Sequence, residues 1–160
     1  MQRAKPPETR PWQVEIECRP GKLRGDQQPD RESGGYVVTF PDLPYGVTQG
    51  DHLADAQDMA RDLLITVLCD LMKRNEPIPE PMARRGRSRK PVTLPLLESL
   101  KVRLYEEWRE SSLKKSELAR RLGVPQSNLM RIVDLRHKGR LDAVERGFEA
   151  VGKQIRLEVA

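Results

Sequence analysis

Trp12, Val14, Ile16 and Cys18 alternate with Gln13, Glu15 and Glu17, the period of a strand with one face buried. Tyr36 to Phe40 predicts a second strand and Gly46 to Thr48 a short third, with Asp42 to Pro44 turning the chain between them. Arg19 to Gly34 is rich in Pro, Gly, Asp, Arg and Gln and is expected to form a long mobile hairpin loop. Asp51 stands where an N-cap belongs for a helix from about His52 to Lys73. Its apolar positions Leu53, Ala56, Ala60, Leu63, Leu64, Val67 and Leu71 recur at three and four, so one face should pack on the sheet. Asp55, Asp58 and Asp62 form an acidic stripe on the opposite face. It reads as solvated surface, because helical spacing alone brings no converging metal ligand from another element.

The prolines of Asn75-Glu76-Pro77-Ile78-Pro79-Glu80-Pro81 stop that helix, and the basic run Arg84 to Lys90 follows as a linker. Val92 to Leu94 can return as a fourth strand, and Leu97, Leu100, Leu104 and Trp108 mark another helix. In Leu113 to Ile132, Leu118 and Leu122 share a face, Ala119 is small where a second helix must approach, and Gly123 suits a positive-φ turn. Leu129, Ile132 and Val133 close the wedge. This is the pattern of a helix-turn-helix, with Lys114 standing where Ser or Thr would make a better cap. Leu141, Val144, Phe148 and Val151 predict a last helix, and Ile155, Leu157 and Val159 alternate as a terminal strand open to pairing with another copy.

The expected class is α+β. Residues 12–81 should hold a three- to four-stranded sheet with one packed helix, 82–95 a basic linker with room for the fourth strand, and 96–160 an all-α helix-turn-helix domain with a terminal strand. A chain of 160 residues, 37% hydrophobic and 33% charged, suits two small cores. Charge separates the same halves. Residues 1–83 carry 10 Lys and Arg against 14 Asp and Glu, whereas residues 84–160 carry 19 against 10. The basic half gains phosphate affinity through counterion release, and the acidic half suits a basic protein partner.

Cys18 and Cys69 are the only cysteines, too few for a disulfide framework or a four-cysteine zinc site, and both are expected to be buried thiols in a reducing compartment. Met1 to Pro11 has no apolar signal core, and the longest apolar stretch, around Leu63 to Cys69 and interrupted by Thr66, is about seven residues. Neither secretion nor membrane insertion is expected, which leaves the cytoplasm.

On the second helix of the helix-turn-helix, Gln126, Ser127 and Arg131 are expected to touch base edges in the major groove. Lys115, Asn128, Arg136 and Lys138 are expected to contact phosphates and fix the register. A single such helix reads few base pairs, so a homodimer or higher oligomer is expected. Neither His52 nor His137 has a nucleophile or base at an informative spacing, so both read as surface or capping residues. Glu15 and Glu17 lie on one strand without a third carboxylate, which argues against two-metal nuclease chemistry. No catalytic residue, metal or cofactor is expected.

With both halves laid out, the chain resembles the HicB family of type II antitoxins, in the subgroup ending in a Cro-like helix-turn-helix. The resemblance rests on three blocks. They are Gly34-Gly35-Tyr36-Val37-Val38-Thr39-Phe40-Pro41-Asp42-Leu43-Pro44 with Val47-Thr48-Gln49-Gly50-Asp51, then Glu76-Pro77-Ile78-Pro79-Glu80-Pro81, then Glu117-Leu118-Ala119-Arg120-Arg121, Arg131-Ile132, Asp134-Leu135-Arg136-His137-Lys138 and Val151-Gly152-Lys153. It implies a partial RNase H-like N-terminal domain that neutralises a HicA-type messenger RNA interferase, and a C-terminal domain that represses the operon by binding operator DNA. A toxin that holds RNA must be basic, so an acidic surface on residues 12–83 can steer it. The closer contact is expected from Tyr36, Phe40, Asp42 and Leu43, because aromatic and aliphatic anchors carry binding energy better than rim charges. The alternative is a transcriptional regulator whose N-terminal domain senses a ligand and has no toxin partner.

Overall fold

The computed structural model describes residues 12–18, 35–80 and 89–156. The Cys18 side chain, the segment Arg19 to Gly34, Arg84 to Ser88 of the basic run, and Leu157 and Val159 of the expected terminal strand lie outside the described residues. The chain is mixed α and β and divides into two compact units. One comprises residues up to Val67 with Pro79–Thr93, and the other Leu68–Ile78 with Leu94 onward. Residues 68–78, which the sequence places with the N-terminal segment 12–81, belong with the second unit.

The first unit is built on a four-stranded antiparallel sheet in the order β3-β2-β1-β4, from β1 (Trp12–Cys18), β2 (Tyr36–Thr39), β3 (Val47–Gly50) and β4 (Arg89–Val92). Ile16 stands opposite Val38, Val38 opposite Thr48, and Val14 opposite Lys90. Two strands shift from expectation. Gly46 has φ 126° and belongs to the turn, so β3 starts one residue later and runs to Gly50. The fourth strand begins inside the basic run, and Pro91 fits there because β4 is an edge strand.

Helix α1 (Leu53–Lys73) starts where the Asp55 carboxylate accepts the Asp51 N–H at 3.0 Å. Asp55 thus reaches back to the helix entry, and Asp51, expected to cap the helix with its side chain, takes part here through its backbone N–H. Ala56, Ala60, Leu64 and Val67 are buried in this unit with Val38, Phe40 and Val92. Each fully buried Leu or Val contributes roughly 1.5–3 kcal/mol. Leu53, counted in the apolar stripe, is exposed on the first turn.

In the second unit α1 ends at Asn75, whose φ of 56° lets the Glu76 N–H reach Leu71 O at 2.9 Å. A left-handed Asn closes the helix before the prolines are reached. Then come α2 (Leu96–Glu110), α3 (Lys115–Leu122), α4 (Gln126–Val133) and α5 (Leu141–Ala150). Leu104, Tyr105, Trp108, Leu118, Leu129, Val133, Val144 and Phe148 are buried there, and Gly147 lets α5 close on Leu104. Trp108 Nε1 donates to Leu113 O at 3.0 Å across the α2–α3 connection. Ile155 and Arg156, the described part of the expected terminal strand, pair with no strand among the described residues.

Candidate functional site

The α3–α4 pair is set by its turn. Gly123 sits at φ 65° and ψ 28°, the Val124 N–H donates to Ala119 O at 3.1 Å, and Pro125 opens α4 with its fixed φ. Leu118 and Ala119 of α3 and Leu129 and Val133 of α4 are buried. Lys114 precedes α3 without a side-chain cap, as its chemistry requires.

That arrangement leaves several polar side chains exposed. Gln126, Ser127, Asn128 and Arg131 on α4, Lys115 at the start of α3, and Arg136 and Lys138 after α4 are all exposed. Lys115, Arg131 and Lys138 make no hydrogen bond or ion pair among the described residues, so their charges are available to an external anion. Other cations are committed. Arg120 and Arg121 both bond to Glu117, Arg140 pairs with Asp142 at 3.1 Å, and Lys153 with the buried Glu107 at 2.9 Å. Hydrogen bonds from Arg120 and then Arg121 hold the Glu117 carboxyl down to about 2, so it stays ionised at neutral pH.

The segment after α4 carries an interaction that sequence reasoning missed. Lys101 of α2 is fully buried, and its Nζ donates to Asp134 O at 2.8 Å and His137 O at 2.6 Å. Asp134 Oδ1 accepts the Arg136 N–H at 3.0 Å and the Cys69 thiol at 3.8 Å. Burial pushes the Lys101 ammonium below its usual value, against the opposing pull of Glu98 and Asp134. It also pushes the Cys69 thiol up, which makes it a poor nucleophile at neutral pH. The available signal was spacing, since Lys101 and Tyr105 share the i, i+4 face with Leu97, Leu104 and Trp108.

The four residues expected to contact a protein partner separate into two pairs. Tyr36 and Asp42 are partly exposed, but Phe40 and Leu43 are only 4% and 8% exposed and belong to the first unit's core. Phe40 and Leu43 can support a contact surface but cannot present one. The apolar side chains that face outward nearby in sequence are Tyr45 and Val47. Along the acidic stripe, Asp55 is used at the helix start and Asp58 lies 3.6 Å from Arg61. Among the described residues no three His, Cys, Asp or Glu side chains gather to hold a metal, and no helix is long and apolar enough to cross a membrane.

Residues 26–103 match the family model of HicB-like antitoxins of bacterial toxin-antitoxin systems. Antitoxin HicB 1 of Photorhabdus laumondii is 38% identical over 80% of this chain and 81% of its own length. Antitoxin HicB of Escherichia coli K12 is 36% identical over 78% of this chain and 89% of its own. Antitoxin HicB of Pseudomonas fluorescens Pf0-1 is 34% identical, covering 80% and 88%. With that identity sustained across both units, the chain belongs to the HicB family of antitoxins of toxin-antitoxin systems.

Proposed function

We propose that this antitoxin has two binding activities and no catalytic one: its first unit neutralises a HicA-type messenger RNA interferase, and the α3–α4 pair binds operator DNA to repress the operon. The observation that carries the DNA reading is that Gln126, Ser127 and Asn128 of α4 lie exposed while Lys115, Arg131 and Lys138, also exposed, have no side-chain partner among the described residues. The Gln126 amide and Ser127 hydroxyl in the first turn of α4 and the Arg131 guanidinium in its last turn match base edges, and Asn128 with the flanking lysines matches phosphates. The α3–α4 pair is read as a Cro-like helix-turn-helix, and the four-stranded sheet with α1 as a partial RNase H-like domain.

A symmetric homodimer follows from the same reading, because two helices about 34–36 Å apart read two half-sites of one duplex face. Toxin contact is assigned to Tyr36 and Asp42, with exposed Tyr45 and Val47 taking the anchoring role first expected of buried Phe40 and Leu43. Family membership favours a toxin partner over a small-ligand sensor. A cytoplasmic location agrees with both binding roles.

The test is titration of the whole chain onto a duplex from upstream of its own reading frame and onto a random duplex. Arg131→Ala should cost about 1–3 kcal/mol on the first and far less on the second, whereas Lys138→Ala should weaken both alike and lower the salt slope by about one. Equal losses on both duplexes for Arg131→Ala would remove the base-reading role.

A further inference from the structure

Arg136 and Lys138 sit in the segment between α4 and α5, which has no regular secondary structure. A phosphate contact that fixes register requires the backbone beneath it to be rigid. Rigidity here comes from beneath. The carbonyls of Asp134 and His137 converge on one buried ammonium, Lys101 Nζ, and the Asp134 carboxylate accepts the Arg136 N–H. Leu135, between the two exposed arms of the segment, is buried. Gly139 completes the fit, since a Cβ there would come within 3.1 Å of Lys101 Cε and 3.2 Å of Nζ.

From this we propose that Lys101 is a positioning residue for DNA binding: wholly buried and unable to reach a phosphate, it clamps the Asp134 to Gly139 segment and so sets where Arg136 and Lys138 stand. The inference rests on the DNA-binding reading above. It adds a residue that no surface inspection would select. Placing a charge where solvent is excluded is costly unless its hydrogen bonds are made, and the two carbonyls satisfy that need only in this conformation of the segment. Loss of the ammonium takes this donor from the His137 carbonyl and leaves Asp134 O with the His137 N–H at 3.3 Å, so the segment can relax.

Two variants of the full chain test this. Lys101→Met removes the ammonium and keeps most of the side-chain volume, and Gly139→Ala crowds it while leaving the lysine in place. Both should speed amide exchange at Arg136 and His137 by about tenfold or more, with Leu118 in α3 unchanged. With a duplex from upstream of the reading frame, both should flatten the salt dependence by up to about 1.8, two contacts at about 0.9 each. Adding Lys138→Ala to either variant should then weaken binding much less than it does in the wild type. Unchanged exchange at Arg136 and His137 in both variants, or full additivity with Lys138→Ala, overturns the clamp. If the wild type binds neither this duplex nor a random one, the DNA-binding reading and Lys101's part in it both fall, while faster exchange would still mark a structural clamp.

Discussion

Glu117 and Arg120 are joined by two hydrogen bonds, Arg120 Nε to Oε2 at 3.0 Å and Nη2 to Oε1 at 2.8 Å, and Arg121 Nε adds a third to Oε1 at 3.0 Å. One carboxylate therefore occupies two of the cations on α3, so that motif charge and available charge differ. Glu117→Gln should free the charge of both arginines, with Arg121 Nη1 still donating to Ala150 O at 2.9 Å, and raise affinity for random duplex DNA. The salt dependence should steepen by up to about 1.8, at about 0.9 for each phosphate gained. An unchanged slope would mean that neither arginine lies within reach of the backbone.

The same carboxylate should titrate far from the ordinary range. Its folded value of about 2 lies below the usual 4.5, so the ion pairs are in place above 4.5 and are lost as pH falls through about 2. Carbon-detected titration of the Glu117 side chain should place its midpoint near 2 in the wild type. A midpoint near 4.5 would show that the three hydrogen bonds do not persist in solution.

Gly50 and Gly147 should differ in their tolerance of a methyl group. A Cβ on Gly50 would lie 2.7 Å from Ala56 Cα and 2.9 Å from Asp55 C, backbone atoms that cannot step aside. Gly50→Ala should destabilise the first unit by about 3 kcal/mol or more. At Gly147 the obstacle is the end of the Leu104 side chain, with Cδ2 overlapping the added methyl and Cδ1 at 3.2 Å, atoms that a side-chain rotation can move. There the roughly 0.5–1 kcal/mol gained in helix propensity partly offsets about 1–3 kcal/mol of overpacking, so the loss should be smaller. Chemical denaturation of the two variants checks the order, and a Gly147→Ala loss exceeding that of Gly50→Ala would contradict it.

What could be read in advance follows the physics of each feature. The α3–α4 pair was legible because Ala119, Gly123 and the flanking leucines each answer a local steric demand, and local demands are written in adjacent residues. Phe40 and Leu43 were read as a contact patch because an aromatic next to a turn looks the same in sequence whether it faces a partner or its own core. Spacing puts Lys101 on the buried face of α2, but a lysine in an amphipathic helix reads as solvent-facing; only the fold shows two carbonyls, from residues far along the chain, aimed at its ammonium. The same limit applied to the unit boundary, since the heptad-like pattern of α1 runs on through Val67 and Leu68 with no change of period.

Separation of the two binding activities is the core of the functional reading, and it can be measured in one experiment. The full chain carrying Gln126→Ala and Arg131→Ala is expressed with a HicA-type toxin, and growth and repression of a reporter behind the upstream region are read in the same cells. Both substituted side chains are exposed, so folding should change by no more than about 0.5 kcal/mol each. Growth should match that with the wild-type antitoxin while repression is lost. Intact repression, or loss of growth and repression together with the variant present at wild-type level, would contradict the division of toxin binding and operator binding between the two units.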